Sequence, residues 1–304
     1  MEADPDRNAD DFHSTGLRGL PLGRRTLVMG IVNVTPDSFS GDGLFTDTTF
    51  DSLAEAATAQ ARAMVADGAD IIDVGGESTR PGHTPVAADD EARRVVDAIA
   101  AIRAAMPHLP ISLDTSKAVV AEAGLDAGAD MLNDVSAVTS RGSLAEVAAA
   151  HRAPYVLMHS RAVPHYDDVV AEVVADLDAA MGHALEAGCH RGSLIVDPGI
   201  GFGKTAEQNL VLLGRLGELR SLGAPILLGT SRKSTIGKVL GLPEQERLEG
   251  TLATTALGIA AGVDIVRVHD VAANVRATRM ADAIVRGGWH DAQGDETTLT
   301  DEGR

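Results

Sequence analysis

The sequence predicts a single (β/α)8 barrel with its active site at the C-terminal ends of the strands. Three observations carry this. Eight apolar runs of strand length alternate with segments of helical period. Every run is continuous rather than alternating, as expected of parallel strands covered on both faces. Three of the helix-to-strand junctions share one spelling, GADII (68–72), GADML (128–132) and GVDIV (262–266). Their Gly suits a left-handed helix C-cap, and their Asp opens the next strand.

In order, the runs are TLVMGIVN (26–33), DIIDVGG (70–76), PISLDTS (110–116) and DMLNDVS (130–136). PYVLMHS (154–160), SLIVDPG (193–199), PILLGTS (225–231) and DIVRVHD (264–270) follow. Between them lie Ala- and charge-rich stretches such as DSLAEAATAQARAMVADG (51–68) and DDEARRVVDAIAAIRAAM (89–106). A doubly wound open sheet is the alternative, but the first strand–helix junction lacks its dinucleotide fingerprint. The barrel is expected over 21–289. The acidic ends, 1–20 and 290–304, are expected to be disordered by composition.

The chain has 304 residues, 44% of them apolar and only 3% aromatic, so Ala, Val, Leu and Ile must build the core. The formal charge is −18. That argues against a nucleic-acid surface, since no basic stripe is present. A lone Cys189 excludes a disulfide within the chain and a thiolate metal cluster, and fits a reducing cytoplasm. In the connection EAGCHRGS it reads as a surface thiol on the non-catalytic side. The first sixteen residues lack the apolar segment of a signal peptide, and no eighteen-residue apolar run predicts a membrane span. No HExxH or HxH spacing points to zinc.

What sits at the strand ends is polar throughout. They carry Asn33; Asp73 running on to Glu77-Ser78-Thr79-Arg80-Pro81-Gly82; Asp114; Asn133-Asp134; Met158-His159; Asp197; Gly229 followed by Ser231-Arg232-Lys233-Ser234; and Arg267-Val268-His269-Asp270. In a barrel these positions converge on one mouth. The glycine-rich stretch VDPGIGFGKT (196–205) imitates a phosphate loop. The pattern requires four residues between its first Gly and Gly203, which puts that first Gly at position 198, and that position is Pro198. Lys204 and Thr205 therefore read as the start of the next helix. Asp114 and Asp197 each precede a helix, so N-capping is the competing role for them.

The motifs NVTPDSFSGDG (33–43), DVGGESTRPG (73–82), LDTSK (113–117), NDVS (133–136), DPGIGFGK (197–204), GTSRKS (229–234) and RVHDV (267–271) resemble those of the dihydropteroate synthase family. The resemblance spans about residues 26–287. It implies a TIM barrel that condenses 6-hydroxymethyl-7,8-dihydropterin pyrophosphate with p-aminobenzoate in folate biosynthesis. It also implies Mg²⁺, a homodimer formed through outer helices, and the enzyme class that sulfonamides target. One stretch departs from the family. Many members carry Met-His-Met-x-Gly-x-Pro after strand five, where this chain has Met158-His159-Ser160-Arg161-Ala162-Val163-Pro164.

The resemblance assigns Asp114, Asn133, Met158, Asp197, Phe202, Lys233 and Arg267 to the pterin. Acceptor-only carboxylates and an amide suit the amino and ring N–H edge of that heterocycle. It places Asn33, Arg80, Arg267 and His269 at the pyrophosphate, with Asn33 also on Mg²⁺, which ordinarily takes few protein ligands. Phe39, Thr79, Pro81 and Ser234 fall to p-aminobenzoate. Glu77 receives no role. With no Ser–His pair or reactive Cys among these residues, the expected chemistry is direct attack by the arylamine on the pterin methylene. Arg267, His269 and Lys233 would stabilise charge, and Asp37 would assist on a closing loop. Two alternatives use the same floor. One is a non-catalytic paralogue that binds pterin. The other is a folate-dependent methyltransferase, which has no need of the STRPG, SRKS and RVHD segments.

Overall fold

In the computed structural model eight parallel strands succeed one another around a barrel: β1 (Leu27–Asn33), β2 (Ile71–Gly75), β3 (Ile111–Asp114), β4 (Met131–Asp134), β5 (Tyr155–Met158), β6 (Leu194–Asp197), β7 (Leu227–Leu228) and β8 (Ile265–Val268). The structure describes residues 20, 22–35, 52–77, 85–140 and 143–287. Residues 1–19 and 290–304 of the acidic ends, the predicted barrel limits and residues Asp37, Phe39, Thr79, Arg80 and Pro81 lie outside the described residues. The hydrogen-bonded order is β6-β5-β4-β3-β2-β1-β8-β7. The seam between β6 and β7 is bridged at Val196 and Ile226, where Val196 N–H also donates to Pro225 O at 2.9 Å.

The described helices are α1 (Leu53–Ala66), α2 (Ala88–Ala105), α3 (Ala118–Asp126), α4 (Ala137–Ser140), α5 (Ser143–His151), α6 (Val169–Glu186), α7 (Ala206–Gly214), α8 (Ser234–Leu240), α9 (Leu248–Ala260) and α10 (Val271–Val285). Every strand except β3 contributes apolar residues to two cores. Val28, Ile72, Leu113, Leu132, Leu157, Val196, Leu228 and Val266 point outward and pack under the helices. Leu27, Met29, Ile71, Met131, Val156, Ile195, Leu227 and Ile265 fill the lumen. Apolar residues on both faces hide the twofold period in the sequence. Truncating one of these buried Leu or Ile residues to Ala costs about 2–5 kcal/mol.

The repeated junctions have a specific use. Gly68, Gly128 and Gly262 take left-handed φ of 100°, 113° and 99°. The Asp two residues later reaches across to the neighbouring strand. Asp70 Oδ2 accepts from Val28 N–H at 2.9 Å, Asp130 Oδ2 from Ile111 N–H at 2.9 Å, and Asp264 Oδ2 from Ile226 N–H at 3.0 Å. Each carboxylate thus satisfies a backbone donor at the N-terminal side of the sheet.

Two expectations are corrected. The seventh run, 225–231, yields only a two-residue strand. Pro225 has no N–H to give the ladder, and beyond Gly229 the chain turns, with Lys233 N–H donating to Thr230 O at 3.1 Å. Cys189 is not a surface thiol but a buried one. Its Sγ donates to Ala145 O at 3.3 Å, and burial pushes its pKa up to about 11. The short connection after α6 tucks under α5, and Cys189 serves there as a small apolar residue.

Candidate active site at the barrel mouth

The strand register places four residues in one row across the mouth. Asn33 pairs with Gly75, Gly75 with Asp114, and Asp114 with Asn133. All four belong to the inward set. A Cβ on Gly75 would stand 3.6 Å from Asp114 Cβ and 3.7 Å from Asn33 Oδ1, so the missing side chain keeps this row open. Further round, Met158 pairs with Asp197. Neither Asp114 nor Asp197 caps a helix. The cap of α3 is Lys117 and that of α7 is Thr205, which forms a capping box with Gln208.

Arg267 on β8 holds the first cluster. Its Nε donates to Asp73 Oδ2 at 2.6 Å and its Nη2 to Asp114 Oδ2 at 2.7 Å. Asn133 Nδ2 donates to the same Asp73 oxygen at 3.2 Å. The second oxygens, Asp73 Oδ1 and Asp114 Oδ1, are buried without a protein donor. Burial, Asp73 and two further carboxylates outweigh the Arg267 charge and push the Asp114 pKa up to about 7. Arg267 is held above its ordinary value by Asp73 and Asp114 despite its own burial.

The second cluster joins β6 to the segment after β7. Asp197 Oδ1 accepts from Gly199 N–H at 2.7 Å. Burial raises its pKa, opposed chiefly by the Lys233 charge. Lys233 Nζ donates to Ile200 O and lies 4.6 Å from the centre of the Phe202 ring. Burial lowers its pKa to about 8. Gly229 sits between the clusters. A Cβ there would be 3.8 Å from Lys233 Nζ, 3.9 Å from Asp197 Oδ2 and 4.0 Å from Arg267 Cβ.

Lys204 does not simply open the next helix. It turns inward, and its Nζ meets His159 Nδ1 at 2.9 Å, Gly199 O at 3.0 Å and Phe202 O at 3.1 Å. The fully buried His159 meets Asp176 Oδ2 with Nε2 at 3.0 Å. Arg161, in the departing loop, pairs with Asp176 and Glu172 and lies 4.5 Å over the Tyr166 ring. Loops five and six interlock so closely that a Cβ on Gly199 would come 1.8 Å from His159 O, and one on Gly203 1.9 Å from Arg161 O. Both glycines have positive φ, 63° and 59°.

On the remaining side, His269 N–H donates to Ser231 Oγ at 3.1 Å and His269 Nδ1 lies 3.0 Å from the same oxygen. Ser231 Oγ thus accepts from the His269 backbone and holds the same residue's ring by Nδ1. Arg232 adopts a left-handed φ of 57° and forks onto Asp270 at 3.0 and 2.6 Å. Ser234 is exposed as the first residue of α8, a helix of seven residues. Among the described residues no three His, Cys, Asp or Glu side chains gather in a way that could hold a metal ion.

Four contributors went unassigned in the sequence. Asp73 shares inward parity with Ile71, so an acid inside an apolar run was the available signal. Gly229 had its place in GTSRKS. Lys204 was visible only as part of a failed phosphate loop. Glu77 accepts from Val86 N–H at 3.2 Å and pairs with Lys117, which also pairs with the buried Glu91. It therefore ties together the two ends of the segment that carries Thr79-Arg80-Pro81.

Residues 29–269 match the family described as pterin binding enzyme. The chain is 47% identical over 272 residues to a dihydropteroate synthase of Clostridium beijerinckii, covering 89% of this chain and 98% of that one. Its fold is similar to a dihydropteroate synthase from Clostridium difficile crystallised in the presence of pteroic acid, with TM-score 0.83, 47% identity, and 88% and 99% of the two chains covered. It is also similar to the Xanthomonas albilineans synthase with 4-aminobenzoic acid, with TM-score 0.80, 44% identity, and 86% and 93% covered. The chain belongs to the pterin-binding enzymes and, within them, to the dihydropteroate synthase family.

Proposed function

We propose that the barrel mouth binds the dihydropterin through Asp114, Asn133, Asp197 and Lys233. The chain is a transferase of folate synthesis, joining dihydropterin pyrophosphate to p-aminobenzoate with release of pyrophosphate. The observation that carries the assignment is Asp114 Oδ1, a buried acceptor lacking a protein donor, beside Asn133 and opposite Asp197 and Lys233. A pterin edge offers N–H donors to the carboxylates and an acceptor to the ammonium. Hydrogen bonds to charged groups contribute about 1.5–3 kcal/mol each, so two or three decide which heterocycle is held. Met158 would pack beneath the ring, and Phe202 would line the wall beside Lys233.

The reacting bond lies above this floor. The arylamine nitrogen attacks the methylene carbon, the C–O bond breaks with its electron pair going to pyrophosphate, and the amine loses a proton. Two of the five N–H donors of Arg267 are committed to Asp73 and Asp114. The others, with the His269 side chain, would face the leaving group, and the fixed guanidinium plane would lie along the pterin. Arg80, Asp37, Phe39, Thr79 and Pro81 are proposed to complete the pyrophosphate and p-aminobenzoate sites from their loops. Ser234 is proposed to hold the p-aminobenzoate carboxylate. Asp37→Ala should lower kcat far more than pterin affinity, and equal losses in both would remove this role.

Mg²⁺ is proposed at Asn33. The half-buried amide at the end of β1 supplies one hard oxygen, and no carboxylate cage stands among the described residues, so phosphate oxygens and water would complete the shell. The ion would neutralise charge on the departing pyrophosphate.

A homodimer is proposed through α9 and α10, where Leu257, Met280 and Ile284 are 69%, 63% and 71% exposed. Light scattering on wild type and Ile284→Glu tests it: a dimer in the first and monomer in the second is expected, and a monomeric wild type refutes it. No helix among the described residues is long and apolar enough to cross a membrane, and cytoplasmic residence is proposed with the reduced Cys189.

The activity test mixes the protein with Mg²⁺, dihydropterin pyrophosphate and labelled p-aminobenzoate. Labelled dihydropteroate, lost in Lys233→Ala, is the expected result. Binding of the pterin without product would instead mark a non-catalytic paralogue.

A further inference from the structure

The glycine-rich loop contains a half-buried lysine, Lys204, whose ammonium is bonded within loops five and six and to no carboxylate. An ammonium has three donors, and Lys204 uses them on three acceptors: Gly199 O, Phe202 O and His159 Nδ1. This arrangement fixes the histidine. Its Nδ1 accepts, so Nε2 carries the proton and donates to Asp176 Oδ2. Asp176 is in turn held by Arg161 of loop five. The two carbonyls that Lys204 gathers bracket the turn Gly199–Phe202, itself closed by Phe202 N–H to Gly199 O at 3.1 Å. From inside that turn Ile200 O takes the Lys233 ammonium, and from its end the Phe202 ring covers the same nitrogen.

We propose that Lys204 is a positioning residue for the pterin: it draws the Gly199 and Phe202 carbonyls onto one cation and thereby sets where Ile200 and Phe202 hold Lys233. The Asp176–His159 pair supplies the third acceptor and anchors the cation to α6. The departing loop reaches the site by this route, since Arg161 fixes Asp176. The charged groups facing Lys204 are Asp197, Lys233, Arg161 and Asp176. None of them bonds it directly, so the carbonyls and the imidazole decide its position. This inference rests on the pterin assignment of Lys233.

The test uses Lys204→Met and Lys204→Gln in the full chain. KM for dihydropterin pyrophosphate should rise at least tenfold in both. KM for p-aminobenzoate, measured at saturating pterin, should stay within twofold, with kcat reduced less than pterin affinity. ¹⁵N NMR of His159 supplies a second reading that does not depend on activity. Wild type should show an unprotonated Nδ1 and protonated Nε2, and Lys204→Met should titrate at higher pH once the neighbouring cation is gone. If Lys204→Met fails to fold, Asp176→Asn, which weakens the same anchor, should raise the pterin KM in the same direction with the p-aminobenzoate KM unchanged. Unchanged pterin KM in folded Lys204→Gln, or equal rises for both substrates, would overturn the proposal. A wild type that binds no dihydropterin pyrophosphate would instead overturn the pterin assignment beneath it.

Discussion

Arg267 and Asp114 are 153 residues apart in the chain and 2.7 Å apart across the barrel mouth. Asp73 takes the neighbouring Nε of the same guanidinium at 2.6 Å. Two buried carboxylates thus share one cation, and its plane is fixed before any ligand arrives.

Lysine cannot reproduce that fork. Arg267→Lys keeps the charge but loses the planar pair of donors spaced for Asp73 and Asp114. Steady-state kinetics should show the pterin KM rising about tenfold, roughly the 1.4 kcal/mol of one hydrogen bond. An unchanged KM would argue against both the fork and stacking on the pterin. Arg267→Ala should lose about 3–5 kcal/mol of stability, because it leaves buried carboxylates without their partner.

Gly229 tests the open space between the clusters. A Cβ there meets ordinary contacts of 3.8–4.0 Å with Lys233, Asp197 and Arg267. Gly229→Ala should therefore leave the melting temperature within a few degrees of wild type, yet weaken pterin binding several-fold. Equal affinity measured by calorimetry would show that the ring does not enter this gap.

Gly203→Ala should behave in the opposite way. Its Cβ would fall 1.9 Å from Arg161 O, with φ at 59°. Backbone must move, and overpacking with left-handed strain costs about 2–5 kcal/mol. Thermal unfolding should show a large drop, and a neutral result would contradict the interlocking of loops five and six.

His159 sets an acid limit. Burial and the Lys204 cation lower its pKa to about 4 from the ordinary 6.5. The folded ring stays neutral between these values while the unfolded ring takes a proton, so stability falls as pH drops from 6.5 to 4. The contribution is on the order of 3 kcal/mol. Urea titrations of wild type and His159→Gln should converge as pH falls through this window, and parallel pH profiles would remove the assignment.

The barrel was legible because its strands are uninterrupted apolar runs and its junctions repeat. The polar strand ends were legible because a barrel brings them to one mouth. What the sequence concealed depends on parity and on reach. Asp73 lies inside an apolar strand, and only the in-register pairing with Ser112 shows that it faces the lumen. Lys204 follows three glycines and reads as a phosphate ligand or a helix start. Its inward turn exists because loop five offers His159 from a distance of 45 residues. Cys189 looked exposed because it lies in a connection, but the connection is short enough to bury it.

The most direct test of the pterin floor is calorimetric titration of dihydropterin pyrophosphate into wild type and Asp197→Asn. The substitution keeps the shape and replaces an acceptor-only carboxylate with an amide that can present donors to a donor edge. Binding in wild type and a loss of about a hundredfold in the variant, some 2.7 kcal/mol, is the predicted result. Equal affinity in the two proteins would mean that Asp197 does not read the pterin, and would contradict the assignment of the floor.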